Sequence, residues 1–127
     1  MTIRAELIHN RLTTAERVYL FRRRSGMTQS KIAKKHGMDV REWRMHETGH
    51  PKCPRTPKTI IMKGTPTKPE LMAIWRRRHG IPIEEMGIEM GIAHVTLNKR
   101  EDGAGEWQET YDWWMERANG TRTAKRA

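Results

Sequence analysis

One cysteine, Cys53, and one phenylalanine occur in the 127 residues. A lone thiol closes no internal disulfide, so packing and ion pairs must hold any fold, and a reducing cytoplasmic setting is expected. No apolar run approaches the roughly 18 residues that a transmembrane helix needs. The N-terminal stretch MTIRAELIHNRL has no apolar core long enough for a signal peptide. Metal-ligand spacing is also missing. His9, His36, His46, His50, His79 and His94 are scattered, and the His50-x-x-Cys53 pair has no second pair, so no metal site is expected. There is no phosphate-binding loop, no nucleophile elbow, and no carboxylate pairing of the kind a metal-dependent nuclease uses. The chain is therefore expected to be a non-enzyme without cofactor, small-molecule ligand or membrane contact.

Acidic residues are the minority, 15 against 25 Lys and Arg, for a net charge of +10 and a pI of about 10.4. Such a balance argues for a polyanionic partner. The excess is concentrated early. Residues 1–55 carry 13 Lys and Arg against 5 Asp and Glu, residues 56–103 carry 8 against 6, and residues 104–127 carry 4 against 4.

What the sequence does hold is a repeat. Residues 20–49 and 74–103 align without a gap at an offset of 54, with Arg22/Arg76, Gly26/Gly80, Gly37/Gly91, Glu47/Glu101 and Gly49/Gly103 coinciding. A supersecondary unit built twice is the simplest reading. Upstream, Thr13-x-x-Glu16 and Thr67-x-x-Glu70 both have the capping-box pattern, in which each side chain satisfies a free backbone N–H at a helix start. Pro69 falls in a first turn, where proline is tolerated. Apolar positions pair as well: Val18/Met72, Phe21/Trp75, Met27/Ile81, Ile32/Met86, Met38/Ile92 and Trp43/Leu97. Helical spacing within each segment predicts helices near 13–25, 28–36 and 39–47, then 67–79, 82–90 and 93–101. Gly37 and Gly91 stand where a tight turn between the second and third helix needs a positive φ.

Residues 50–66 hold four of the six prolines, which predicts an extended, semi-rigid linker. The run 59–62 is β-like but has no partner strand. Residues 105–118 form a last amphipathic helix, with Trp107, Tyr111, Trp114 and Ala118 in one stripe and Trp113 off it. That stripe reads as an internal brace, a face between the units, or a homodimer seam. The expected organisation is all-α: a first unit at 1–50, a linker at 51–66, a second unit at 67–104, the Trp-rich helix at 105–118, and a basic, disordered tail at 119–127.

The residues Arg22-x-x-x-Gly26, Thr28-Gln29, Ile32-Ala33, Gly37, Trp43 and Glu47-Thr48-Gly49 resemble the Cro/repressor (XRE-type) helix-turn-helix of phage and bacterial regulators. The resemblance spans residues 22–49 and departs at His46, a usually apolar position. The second unit keeps Arg76, Gly80, Gly91, Glu101 and Gly103 but has Ile83 for the family's Gln and Gly87 for its Ala. The resemblance implies structural ion pairs Arg22–Glu47 and Arg76–Glu101. It implies phosphate contacts from Thr28 and Gln29, joined by Lys31, Lys34 and Lys35, with Arg23 and Arg24 as further basic-face candidates. It makes the third helix the reader of the major groove, with Asp39, Val40, Arg41, Arg44 and Met45 outward and Trp43 inward. Val40, Arg41, Arg44 and Met45 are its base-contact candidates: Arg41 is expected to read guanine and Val40 to meet a thymine methyl, while Arg44 is expected rather to reach a phosphate. In the second unit Ala93, His94, Val95, Asn98 and Lys99 take those places. His94, Asn98 and Lys99 are its base-contact candidates, and Thr96 is a cap or backbone contact.

The function implied is that of a sequence-specific double-stranded DNA-binding regulator, a repressor of phage, prophage or plasmid type that occludes a promoter. Two units in one chain would read sites about 34 Å apart. A single reading unit would instead require a homodimer. The alternative is a protein-interaction module of a mobile element, an inhibitor of a host protein or an antitoxin, on the same fold.

Overall fold

The computed structural model describes residues 12–118; the tail at 119–127 lies outside them. Within that range the chain forms seven α-helices and one 3₁₀ turn, with no strand. The helices are α1 (Thr14–Ser25), α2 (Gln29–Lys35), α3 (Val40–Thr48), α4 (Lys68–Arg78), α5 (Ile83–Met90), α6 (His94–Glu101) and α7 (Trp107–Ala118). The first residues of α1, α2 and α3 recur in α4, α5 and α6 at the 54-residue offset. The described chain divides into two compact units, 12–64 and 65–118.

Both capping boxes form. Thr13 Oγ1 accepts the Glu16 N–H at 3.0 Å and Glu16 Oε1 accepts the Thr13 N–H at 2.9 Å. The Thr67/Glu70 pair repeats this at 3.3 and 2.8 Å. Each pair satisfies donors that a helix start leaves open. Gly37 and Gly91 have φ of 72° and 76°, the left-handed conformation that a side chain resists.

In the first unit α3 packs on both α1 and α2. Val18, Ile32, Ala33 and Trp43 are buried together, with Phe21, Met27 and Met38 against them. Ile60 completes this core, fully buried on the 3₁₀ turn Lys58–Ile60. The proline-rich stretch is therefore not a spacer over most of its length. Met62 donates its N–H to Arg17 O at 3.2 Å. Arg17 Nη1 returns hydrogen bonds to Met62 O and Gly64 O, both at 3.0 Å. Burying Ile60 and Met62 outweighs the solvation of an extended chain, because each apolar side chain removed from water contributes about 1.5–3 kcal/mol.

In the second unit α6 packs on α4 and α5, and α7 packs on α4 and α6. Met72, Trp75, Met86 and Leu97 are buried, at the positions that pair with first-unit core residues. Trp114 is 2% exposed and meets Trp75 edge-on at 5.8 Å between centroids. Arg117 lies over the Trp75 ring at 5.3 Å and clasps Glu89 at 2.7 and 3.0 Å. The stripe is thus an internal brace at Trp114, which removes that residue from any seam between molecules. Trp107 and Tyr111 are half-buried beside it, 6.5 Å apart. Thr110, also buried, accepts from Arg100 Nη1 at 2.9 Å.

One buried carboxylate anchors each unit. Glu47 is 2% exposed. It receives Arg22 Nε, Arg22 Nη2 at 3.3 Å, Trp43 Nε1 at 2.6 Å and Gln29 Nε2 at 3.1 Å. Glu101, equally buried, receives Arg76 Nε at 2.8 Å and Nη2 at 3.0 Å. Arg76 also holds Ile81 O at 3.0 Å. In each unit the pair ties the first helix to the end of the third.

Three outcomes follow from this packing. Arg22→Met leaves Glu47 buried without its cation and is expected to cost about 3–5 kcal/mol in urea denaturation, as for a broken buried pair. A Cβ on Gly87 would lie 2.7 Å from the backbone oxygen of Ile92. Alanine there gains about 1 kcal/mol of helix propensity, but overpacking against backbone costs about 1–3 kcal/mol. Gly87→Ala should therefore lower the melting temperature, and a rise would refute the tight α5–α6 approach. Trp114→Ala should destabilise the second unit by about 3–5 kcal/mol without changing the mass seen by light scattering.

Candidate nucleic-acid interface

Helix α3 has two unlike sides. Trp43, His46 and Glu47 are buried, while Arg41 and Arg44 are exposed and Val40 and Met45 half-buried. Asp39 starts the helix, its Oδ1 accepting the Glu42 N–H at 2.8 Å. This N-cap role accounts for an acidic residue beside an otherwise basic surface.

Arg44 is held, not loose. Its Nε donates to Gln29 Oε1 at 3.2 Å, and Gln29 Nε2 donates to Glu47 Oε1 at 3.1 Å. A relay thus runs from Arg22 through Glu47 and Gln29 to Arg44. Gln29 was expected to grip phosphate with its amide. Both ends of that amide are engaged inside the protein, and what it does is orient Arg44. Thr28 caps α2, its Oγ1 accepting the Lys31 N–H at 3.2 Å.

Lys31, Lys34 and Lys35 are exposed along α2, opposite the buried Ile32 and Ala33. Among the described residues none of them, nor Arg41, lies within ion-pair distance of a carboxylate. Four exposed cations, three on α2 and Arg41 on α3, thus have no carboxylate partner among the described residues. Arg23 is turned elsewhere, donating to Tyr19 Oη at 3.3 Å; Arg24, exposed on the same helix, also has interactions within the protein.

His46, in the last turn of α3, is 1% exposed. Its Nδ1 lies 2.9 Å from Thr56 Oγ1 and 3.0 Å from Cys53 Sγ. Its Nε2 is 3.6 Å from a Glu42 carboxylate oxygen. These contacts fasten the proline-rich stretch to the inner side of α3. Burial pushes the Cys53 thiol up from its ordinary value; the Thr56 hydrogen bond opposes this and the Glu42 charge adds to it. A protonated thiol at neutral pH is a poor nucleophile. Among the described residues no group of three or more His, Cys, Asp or Glu is placed to hold a metal ion. The spacing His46–Cys53–Thr56 carries no local signal of this cluster, because the contacts form only where the chain turns back on α3.

The second unit carries the same helices with a different surface. His94, Val95, Thr96, Asn98 and Lys99 are exposed on α6. Ala93 and Pro82 occupy the two cap positions and make no side-chain cap hydrogen bond. Where the first unit has Lys31, Lys34 and Arg41, the second has Glu85, Ile88 and Val95. Ile83 replaces Gln29, so no amide is there to orient Asn98 as Gln29 orients Arg44.

No helix among the described residues is long and apolar enough to cross a membrane. Comparison of the chain with protein-family models, with curated proteins and with solved structures found no match.

Proposed function

We propose that the first unit is a helix-turn-helix that binds double-stranded DNA with sequence preference, and that the chain acts as a transcriptional regulator of the repressor type. The observation that carries the reading is the outer α2–α3 surface. Arg44 is fixed by Gln29 at 3.2 Å; Arg41, one turn away on α3, and Lys31, Lys34 and Lys35, exposed on α2, have no carboxylate partners among the described residues. An oriented guanidinium can meet a guanine edge bidentately, whereas mobile lysines neutralise phosphates and release counterions. α3 is capped at both ends and presents its exposed side as a continuous helical stripe, the shape that enters a major groove. Occlusion of a promoter is the mechanism this reading implies, since a helix seated in the major groove covers the stretch of duplex it reads.

Selection of sites from a random duplex pool with the purified chain tests the reading. A defined motif is expected. Arg44→Ala should weaken binding to it by about 1–3 kcal/mol and relax one base position. Lys34→Ala should weaken all sequences alike and reduce the salt slope by about one. Enrichment of no motif would overturn sequence-specific regulation.

A further inference from the structure

The two units share a scaffold, yet the second has lost the charge that suits DNA. On α5, Glu84 and Glu85 are exposed, and neither makes an ion pair among the described residues. Ile88 is 81% exposed and Val95 55% exposed, the two large hydrophobic residues left most open among the described residues. Each follows directly on a residue at the contact of α5 with the start of α6. α5 crosses the start of α6 at Gly87, whose Cβ position lies 2.7 Å from Ile92 O and 3.5 Å from the His94 N–H nitrogen. Ile88 follows Gly87, and Val95 follows His94. Ile88 is thus one turn from two unpaired carboxylates on α5, and Val95 is exposed at the start of α6, in a chain whose net charge is +10.

We infer that this α5–α6 face is a docking site for a basic amphipathic segment of a partner protein, one that sets apolar side chains on Ile88 and Val95 and Lys or Arg against Glu84 and Glu85. Charge decides between the occupants. Phosphate would meet Glu84 and Glu85 as like charges. A second copy using the same face would bring these carboxylates toward their own equivalents, because a two-fold interface is self-complementary. A cationic segment neutralises them while covering the apolar pair, and opposed potentials both steer such encounters and reject wrong partners. His94, Asn98 and Lys99 then border a protein site and do not read bases. The inference rests on the second unit alone and holds whether or not the first unit binds DNA.

The test uses the full chain and a short helical peptide of alternating leucine and lysine faces, followed by amide chemical shifts and by fluorescence anisotropy at low salt. The expected result is saturable binding, with shifts confined to residues of α5 and α6. The double variant E84K/E85K should weaken it about tenfold, as expected when several exposed ion pairs are lost and repulsion replaces them. I88S, at a position too exposed to matter to the fold, should weaken it about fivefold or more. R41A/R44A should leave it unchanged. Absence of saturable binding, shifts spread over the chain, or indifference to E84K/E85K would overturn the proposal. So would a doubling of mass in light scattering that I88S abolishes, which assigns the face to a second copy. Shifts at α5 and α6 on adding duplex DNA would assign it to nucleic acid and overturn the proposal as well.

Discussion

The placement of Arg44 on the exposed side of the first unit depends on one buried charge. Glu47 has almost no contact with water, and a carboxylate in such a place persists only when its lone pairs are filled. Two hydrogen bonds from Arg22, one from Trp43 and one from Gln29 fill them. The Arg22 bonds fix α1 against the end of α3. The Trp43 bond sets the large core side chain in one orientation. The Gln29 bond reaches the surface, because the same amide turns its oxygen to Arg44. A structural requirement of the core is thereby transmitted to an exposed guanidinium through three side chains. The cost of leaving Glu47 unpaired exceeds that of ordering Gln29, so Arg44 is oriented by the fold itself.

The second unit shows what happens when that requirement is relaxed. Leu97 and Ile83 stand in place of Trp43 and Gln29. Glu101 keeps its two bonds from Arg76 but has no indole or amide donor at these positions. The unit makes up the packing elsewhere. Gly87 lets α5 approach the α6 backbone closely, and α7 adds Trp114 against Trp75. The relay to the surface is gone, and with it the reason to keep a cation at the position of Arg44.

Local rules made much of this readable from residues. Capping boxes, turn glycines and paired apolar positions depend on neighbours within a few residues, and the offset of 54 doubled each signal. The Arg–Glu pairs were legible because the resemblance supplied a spacing that no local rule contains. Long-range geometry was not legible. Ile60 looked like part of a linker, since nothing near it in sequence reveals that it enters the core of α1 and α3. A stripe drawn from apolar residues omits Thr110, a buried hydroxyl that Arg100 satisfies. Gln29 had the expected place but another task, which only its two partners disclose. The depth of His46 became intelligible only once Cys53 and Thr56 were seen against it.

Three short helices bury too little surface to be stable alone, and each unit recruits one further element. In the first, residues 50–64 bring Ile60 and Met62 to α1 and fasten Thr56 and Cys53 to His46 on the inner side of α3. In the second, α7 covers α4 and α6 through Trp114, Thr110 and Arg117. Both additions occupy the side of the third helix that carries its buried residues. Neither covers Arg41 and Arg44 in α3, nor Val95 and Asn98 in α6, all of which remain exposed. Stability is thus secured on one side of the three-helix scaffold, and chemistry can change on the other without cost to the core. A face of cations and a face of carboxylates around an apolar pair are two uses of the same freedom.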